Sequence, residues 1–208
     1  MNPGIKMPRP ANRSRTKIAF LSLGSNLGDR ADSIRQALAR LRETGVKVRR
    51  VSSRYETEPV DHRAQPWFLN CVAEVETKLS PGQLLRACKS IERALGRRPS
   101  IPKGPRAIDI DILLYENVVV DCARLRIPHA RLGERRFVLA PLCELSPEIR
   151  HPVSGRTAAE MLAEIRDTAQ VIRLGPQTTM GRRAKRTDAC PHGNSRSRTK
   201  GSLIGRRD

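Results

Sequence analysis

Apolar residues crowd together from Lys17 to Gly24 as K-I-A-F-L-S-L-G, the density of a buried strand, and the turn-forming S-N-L-G-D follows. Ile34, Leu38 and Leu41 then recur at helical spacing. Asp29 or Asp32 complements the positive end of that helix, and Gly45 supplies its stop. Two alternating runs follow, Val46 to Tyr55 and Trp67 to Thr77, separated by a polar stretch with Pro59 and Pro66, and they predict two strands. Ser80-Pro81-Gly82-Gln83 has the serine, proline and glutamine of a helix start. Leu84, Leu85, Cys88, Ile91 and Leu95 form one apolar face, which Gly96 ends. A basic loop from Arg97 to Pro105 leads to A-I-D-I-D-I-L-L-Y, 107–115, a strand with apolar residues on one face and two aspartates on the other.

This β-α-β-β-α-β order predicts an α+β, ferredoxin-like sandwich, a four-stranded sheet with both helices on one side. Thr157 opens a further capped helix to about Arg166, and Gln170 to Leu174 reads as a short edge strand. After Gly175 the periodicity stops. The expected organisation is one domain over 17–175 between a flexible basic extension, 1–16, and a disordered basic tail, 176–208.

Charge changes the picture less than its total suggests. The 208 residues carry 40 Lys plus Arg against 21 Asp plus Glu, a net +19 that by itself points to a polyanionic partner. Five basic and no acidic side chains fall in 1–17, and nine basic against two acidic in 176–208, so the middle is only modestly basic. Such a middle suits phosphorylated substrates as well as nucleic acid. Five cysteines, Cys71, Cys88, Cys122, Cys143 and Cys190, show no zinc-ligand spacing, and no apolar run is long enough to span a membrane. Free thiols in a cytoplasmic, reducing setting are expected, with no membrane partner.

Side chains at i and i+2 of a strand share a face, with Cα atoms about 6.5–7 Å apart, so Asp109 and Asp111 can hold hard cations between them. The alternative is two harmless carboxylates on a solvated face. Arginines and Lys103 around this pair supply the positive charge that polyphosphate transfer requires, while neither a Walker A loop nor G-x-G-x-x-G is present.

Five segments in order, F-L-S-L-G-S-N-L-G-D-R (20–30), Y-E-T-E-P (55–59), Q-P-W-F-L-N (65–70), G-P-R-A-I-D-I-D-I-L-L-Y (104–115) and I-P-H-A-R-L-G-E-R-R-F-V-L-A-P-L (127–142), resemble the 6-hydroxymethyl-7,8-dihydropterin pyrophosphokinases. The resemblance implies ATP-dependent pyrophosphoryl transfer to the hydroxymethyl group of a reduced pterin, with release of AMP, in folate biosynthesis. It implies two Mg²⁺ ions on Asp109 and Asp111. It places pterin stacking on Phe68 and Phe137, in a chain with only six aromatics, and pterin hydrogen bonds on Asn70 and on Thr57 through Val60. ATP contacts fall on Glu92, Arg97, Arg106, Ile112, Arg124, His129 and Arg135, with Arg97, Arg106 and His129 as the catalytic choices. No general base is assigned.

The chain departs from the family pattern where Lys103, Pro99 and Pro102 replace a longer, tryptophan-bearing mobile loop. Asp61, Lys89 and Ala130 stand where glycine, glutamine and tyrosine are common. Two rivals remain from sequence: a basic RNA-recognition module of the same element order, and a catalytically impaired family member acting as a binding protein. A monomer is expected, with nucleic acid at most a non-specific partner of the basic ends.

Overall fold

The computed structural model describes residues 15–60, 64–97 and 104–175. The basic tail at 176–208, nearly all of the 1–16 extension, Asp61, the loop positions Pro99, Pro102 and Lys103, and Cys190 lie outside the described residues. In chain order the elements are β1 (Lys17–Ser25), α1 (Arg30–Glu43), β2 (Lys47–Val51), β3 (Tyr55–Thr57), β4 (Phe68–Thr77), α2 (Pro81–Ala94) and β5 (Asp109–Tyr115). Then come β6 (Val120–Cys122), β7 (Leu125–Ile127), α3 (Arg136–Leu145), α4 (Ala158–Ala163) and β8 (Val171–Arg173). The fold is α+β around an antiparallel sheet ordered β5-β1-β4-β3-β8, with β2 also paired to β4. β6 and β7 form a separate hairpin.

Local chemistry sets the boundaries much as the pattern predicts. The Asp29 side chain accepts the Asp32 N–H at 2.9 Å to start α1, Gln83 accepts the Ser80 N–H at 2.8 Å at the start of α2, and Thr157 with Glu160 caps α4 reciprocally. Gly45 and Gly96, at φ 83° and 88°, turn the chain out of α1 and α2.

The expected strand over 46–55 is instead two strands. Between the pairs Val51↔Ala73 and Tyr55↔Asn70 the chain advances four residues against three on β4. Ser52 stays opposite Val72, its N–H donating to the Val72 carbonyl at 2.9 Å and its hydroxyl accepting the Val72 N–H at 3.0 Å, so the surplus residue falls between Ser52 and Tyr55.

α1 and α2 lie on one face of the sheet, as the element order predicts, and α3 and α4 add a cover to the other. Ala19, Leu21, Leu23, Cys71 and Val75 meet Ile34, Leu41, Leu84 and Ile91 of α1 and α2. On the opposite face Phe20, Val72, Leu113 and Leu114 meet Val138, Leu139 and Leu142 of α3 and Met161 of α4. The hydrophobic pattern does not announce α3, because it contains Pro141 and has no side-chain N-cap. Its apolar residues acquire meaning only against this second face. In β5 one extra residue opposite β1, at Leu113, lets both Leu113 and Leu114 enter that core. Upstream of this bulge Ile110 and Ile112 point to α1 and α2, so Asp109 and Asp111 point the other way, beyond the reach of α3's apolar residues.

Candidate active site

One end of this second face is open, and there a cavity of about 300 Å³ is lined by sheet positions of a single parity: Ser22 and Gly24 of β1, Phe68 and Asn70 of β4, and Asp109 and Asp111 of β5. Thr57 to Val60, Gln65, Lys89, Arg97, Arg106, His129, Arg135 and Phe137 complete the lining. Strand register creates the grouping. Gly24 pairs with Asn70 on one neighbour and Asp109 on the other, and Ser22 pairs with Asp111. A Cβ on Gly24 would stand 2.4 Å from Asn70 Oδ1, so the missing side chain is what lets the Asn70 amide lie across β1. Asn70 is 4% exposed and its Nδ2 donates to the Thr57 hydroxyl at 2.6 Å.

The two aspartates have opposite electrostatics. Asp109 accepts from Arg97 on Oδ1 and from Arg106 on Oδ2 at 2.5 Å, with Lys89 Nζ 4.0 Å from Oδ1. Burial opposes its ionisation, but Arg106, Arg97 and Lys89 outweigh that and hold its pKa below the ordinary value. Asp111 is pushed up, first by burial and then by the Asp109 charge, with only partial relief from His129. His129 Nδ1 accepts the Arg131 N–H at 3.2 Å, which leaves the proton of the neutral ring on Nε2, 3.8 Å from Asp111 Oδ2. Burial lowers the His129 pKa, opposed by Asp111.

Glu92 is 2% exposed and does not line the cavity. Its carboxylate accepts the Ile110 N–H of β5 at 2.7 Å, Lys89 at 2.9 Å and Arg97 at 2.6 Å, so it fixes two cations to the edge of the sheet. Ile112 belongs to the core under α2, and Arg124 is exposed at the β6–β7 turn, so neither joins the lining. The structure therefore gathers Thr57, Val60, Phe68, Asn70, Phe137, Arg97, Arg106, Asp109, Asp111, His129 and Arg135, and leaves Glu92, Ile112 and Arg124 outside the wall. Sequence reasoning missed Ser22, Gly24, Gln65 and Lys89. The period-2 relation of Ser22 and Gly24 was a usable signal once β1 was paired with β5.

Among the described residues no cluster of three or more His, Cys, Asp or Glu forms an all-protein metal cage. Two carboxylates beside three cations instead suit a hard ion that takes its remaining ligands from phosphate and water.

Comparisons with known proteins show the family. Residues 20–147 match the family described as 7,8-dihydro-6-hydroxymethylpterin-pyrophosphokinase. The folic acid synthesis protein fol1 of Schizosaccharomyces pombe is 49% identical over 162 residues, covering 77% of this chain but 22% of that protein. The 2-amino-4-hydroxy-6-hydroxymethyldihydropteridine pyrophosphokinase of Bacillus subtilis is 45% identical over 64% of this chain and 80% of its own length. The enzyme of the same name from Methylorubrum extorquens is 44% identical over 71% and 92%. A crystal structure of a Plasmodium falciparum HPPK-DHPS has the same fold, with TM-score 0.59 at 18% identity over 74% of this chain and 46% of that one. The chain thus spans about a fifth of the fungal protein and most of the two bacterial ones, and it belongs to the 7,8-dihydro-6-hydroxymethylpterin-pyrophosphokinase family.

Proposed function

We propose that the chain transfers the β,γ-diphosphate of ATP to the hydroxymethyl group of 6-hydroxymethyl-7,8-dihydropterin, releasing AMP and giving the pterin diphosphate used in folate synthesis. The observation that carries this reading is the meeting, in one cavity, of an acidic pair, a set of cations and two phenylalanines. The strand frame from β1 to β5 is, in this reading, a ferredoxin-like sandwich whose second strand is broken into β2 and β3.

Phe68 and Phe137 hold the flat pterin, and Asn70 with the Thr57–Val60 segment reads its polar edge. Arg135 lies over the Phe137 ring at 5.4 Å, which steadies that wall. Arg97, Arg106 and Lys89 bind the triphosphate, exchanging their hold on Asp109 for phosphate oxygens, and His129 donates from Nε2. Asp109 and Asp111 fit Mg²⁺: their mutual repulsion favours a cation, and they leave its other positions to phosphate. When bound, Mg²⁺ neutralises charge on the phosphates and orients them for in-line displacement. Purified protein given ATP, Mg²⁺ and the reduced hydroxymethylpterin should form AMP and the pterin diphosphate in equal amounts. ADP in place of AMP, or no product, would refute the reading.

This function is favoured over RNA recognition because α3 and α4 cover the sheet face on which bases would stack. No described helix is long and apolar enough to cross a membrane, and the described cysteines are free.

Two further results are expected. Gly24→Ala displaces the Asn70 amide, so the KM for the pterin should rise by about tenfold or more while that for ATP changes by less than about threefold. Steady-state titration of each substrate checks this, and equal changes in both would contradict it. For pH, a histidine whose folded pKa is depressed makes the unfolded chain the better proton binder below the ordinary value of 6.5. Its contribution is complete above 6.5 and is lost as pH falls through the folded pKa. Thermal unfolding from pH 7 to 5 should therefore show wild type losing more stability than His129→Gln, and identical slopes would contradict the assignment.

A further inference from the structure

The turn between β1 and α1 supplies no lining to the cavity, yet it holds two of the segments that do. Asn26, in S-N-L-G-D, is 2% exposed. Its Oδ1 accepts the Arg106 N–H at 2.7 Å, and its own backbone N–H donates to the Arg106 carbonyl at 3.1 Å. Its Nδ2 donates to Gln65 Oε1 at 3.0 Å and to the Pro66 carbonyl at 3.1 Å. Both amide donors and the amide acceptor are thus spent on segments distant in sequence. Arg30, at the start of α1, extends the row by donating to the Trp67 carbonyl and to Glu56, each at 2.8 Å. Residues 65, 66 and 67 are consequently tied one after another to this turn, immediately before Phe68, while Glu56 precedes Thr57.

We propose that Asn26 is a positioning residue: one buried amide sets the loop that delivers Phe68 and the residue that delivers the Arg106 guanidinium in fixed relation to each other. The proposal rests on the reading of the cavity given above. The geometry demands an amide. Arg106 needs an acceptor, Gln65 and Pro66 each need a donor, and no other uncharged side chain of this size offers two donors beside an acceptor. Reacting groups brought to one cavity by separate loops need placement to within about half an ångström, and an error near 1 Å can cost on the order of a hundredfold in rate. A rigid coupling through Asn26 supplies that placement. Aspartate at this position keeps the acceptor for the Arg106 N–H but turns an oxygen toward Gln65 Oε1 and the Pro66 carbonyl, so it separates the two arms.

The test measures binding of a magnesium–nonhydrolysable ATP analogue and of 6-hydroxymethylpterin by calorimetry, together with kcat at saturation, for wild type, Asn26→Ala and Asn26→Asp. Asn26→Ala should weaken both ligands by about tenfold or more and lower kcat by about a hundredfold, with the far-ultraviolet circular dichroism unchanged. Asn26→Asp should lose pterin affinity by about tenfold and nucleotide affinity by less than about threefold. A residue that only stabilised the fold would shift thermal unfolding and leave kcat per folded molecule alone, which would overturn the proposal. If Asn26→Ala does not fold, the isosteric Asn26→Asp decides: an unchanged pterin affinity, or equal losses of both ligands, overturns it. Wild type that binds neither ligand defeats the cavity reading and the proposal with it, whereas wild type that binds both beside an unaffected Asn26→Ala defeats the proposal alone.

Discussion

Asp109→Asn and Asp111→Asn are each expected to cut AMP formation by about 10²–10³-fold or more, and to move thermal stability in opposite directions. Activity falls in both because each loses a carboxylate facing the phosphates. Stability divides them because their surroundings differ. Asp109 is the counterion of Arg97, Arg106 and Lys89, and its pKa is held down by them. Neutralising it strands partly buried cations, a loss of about 2 kcal/mol, or roughly 4–8 °C in Tm for a domain of this size. Asp111 carries a charge that burial and Asp109 both disfavour. Removing it relieves the nucleotide-free protein by about 1 kcal/mol, or roughly 2–4 °C, a modest figure because its side chain is 34% exposed. Paired unfolding curves and AMP assays check the contrast. Shifts of the same sign would contradict the electrostatic account, and retained activity in either variant would contradict the acidic clamp.

Arg106→Ala is expected to lower kcat by about 10²–10³-fold while the KM for ATP rises by about tenfold at most. Its backbone is fastened to Asn26 before substrate arrives, so the guanidinium has only to pass from Asp109 to the adjoining phosphate. Such a preorganised cation stabilises negative charge developing during transfer more than it stabilises bound ATP. Arg106→Lys should recover little, since an ammonium is a single compact charge and lacks the planar fork that spans two phosphate oxygens. Initial rates over a grid of both substrates measure the two parameters. A variant with normal kcat and raised KM would reduce Arg106 to a ground-state anchor.

The legible parts of this protein were those written in local periodicity. Apolar density marked β1, alternation marked β4 and β5, helical spacing with an acidic start marked α1, capping chemistry at Ser80 and Thr157 marked two more helices, and the i, i+2 spacing of Asp109 and Asp111 put both on one face. What escaped depended on partners remote in sequence. The ten residues of α3 form a helix around Pro141 because the second sheet face offers Val138, Leu139 and Leu142 a core. The break between β2 and β3 lies just beyond Ser52, whose hydroxyl bonds to Val72, a contact no propensity encodes. Gly24 reads as one more small residue in a strand until register sets it beside Asn70 and Asp109. Glu92, a position the family resemblance assigns to ATP, accepts from Ile110, Lys89 and Arg97 beneath the β5 edge, partners that no spacing in the sequence announces.

The most direct measurement is a crystal structure of the full chain with Mg²⁺, a nonhydrolysable ATP analogue and 6-hydroxymethylpterin together. The account predicts the pterin ring between Phe68 and Phe137, its edge on Asn70, and divalent ions joining Asp109 and Asp111 to the triphosphate, with Arg97 and Arg106 moved from carboxylate to phosphate. A pterin bound away from the phenylalanines, or a triphosphate whose ions do not touch the two aspartates, would contradict it.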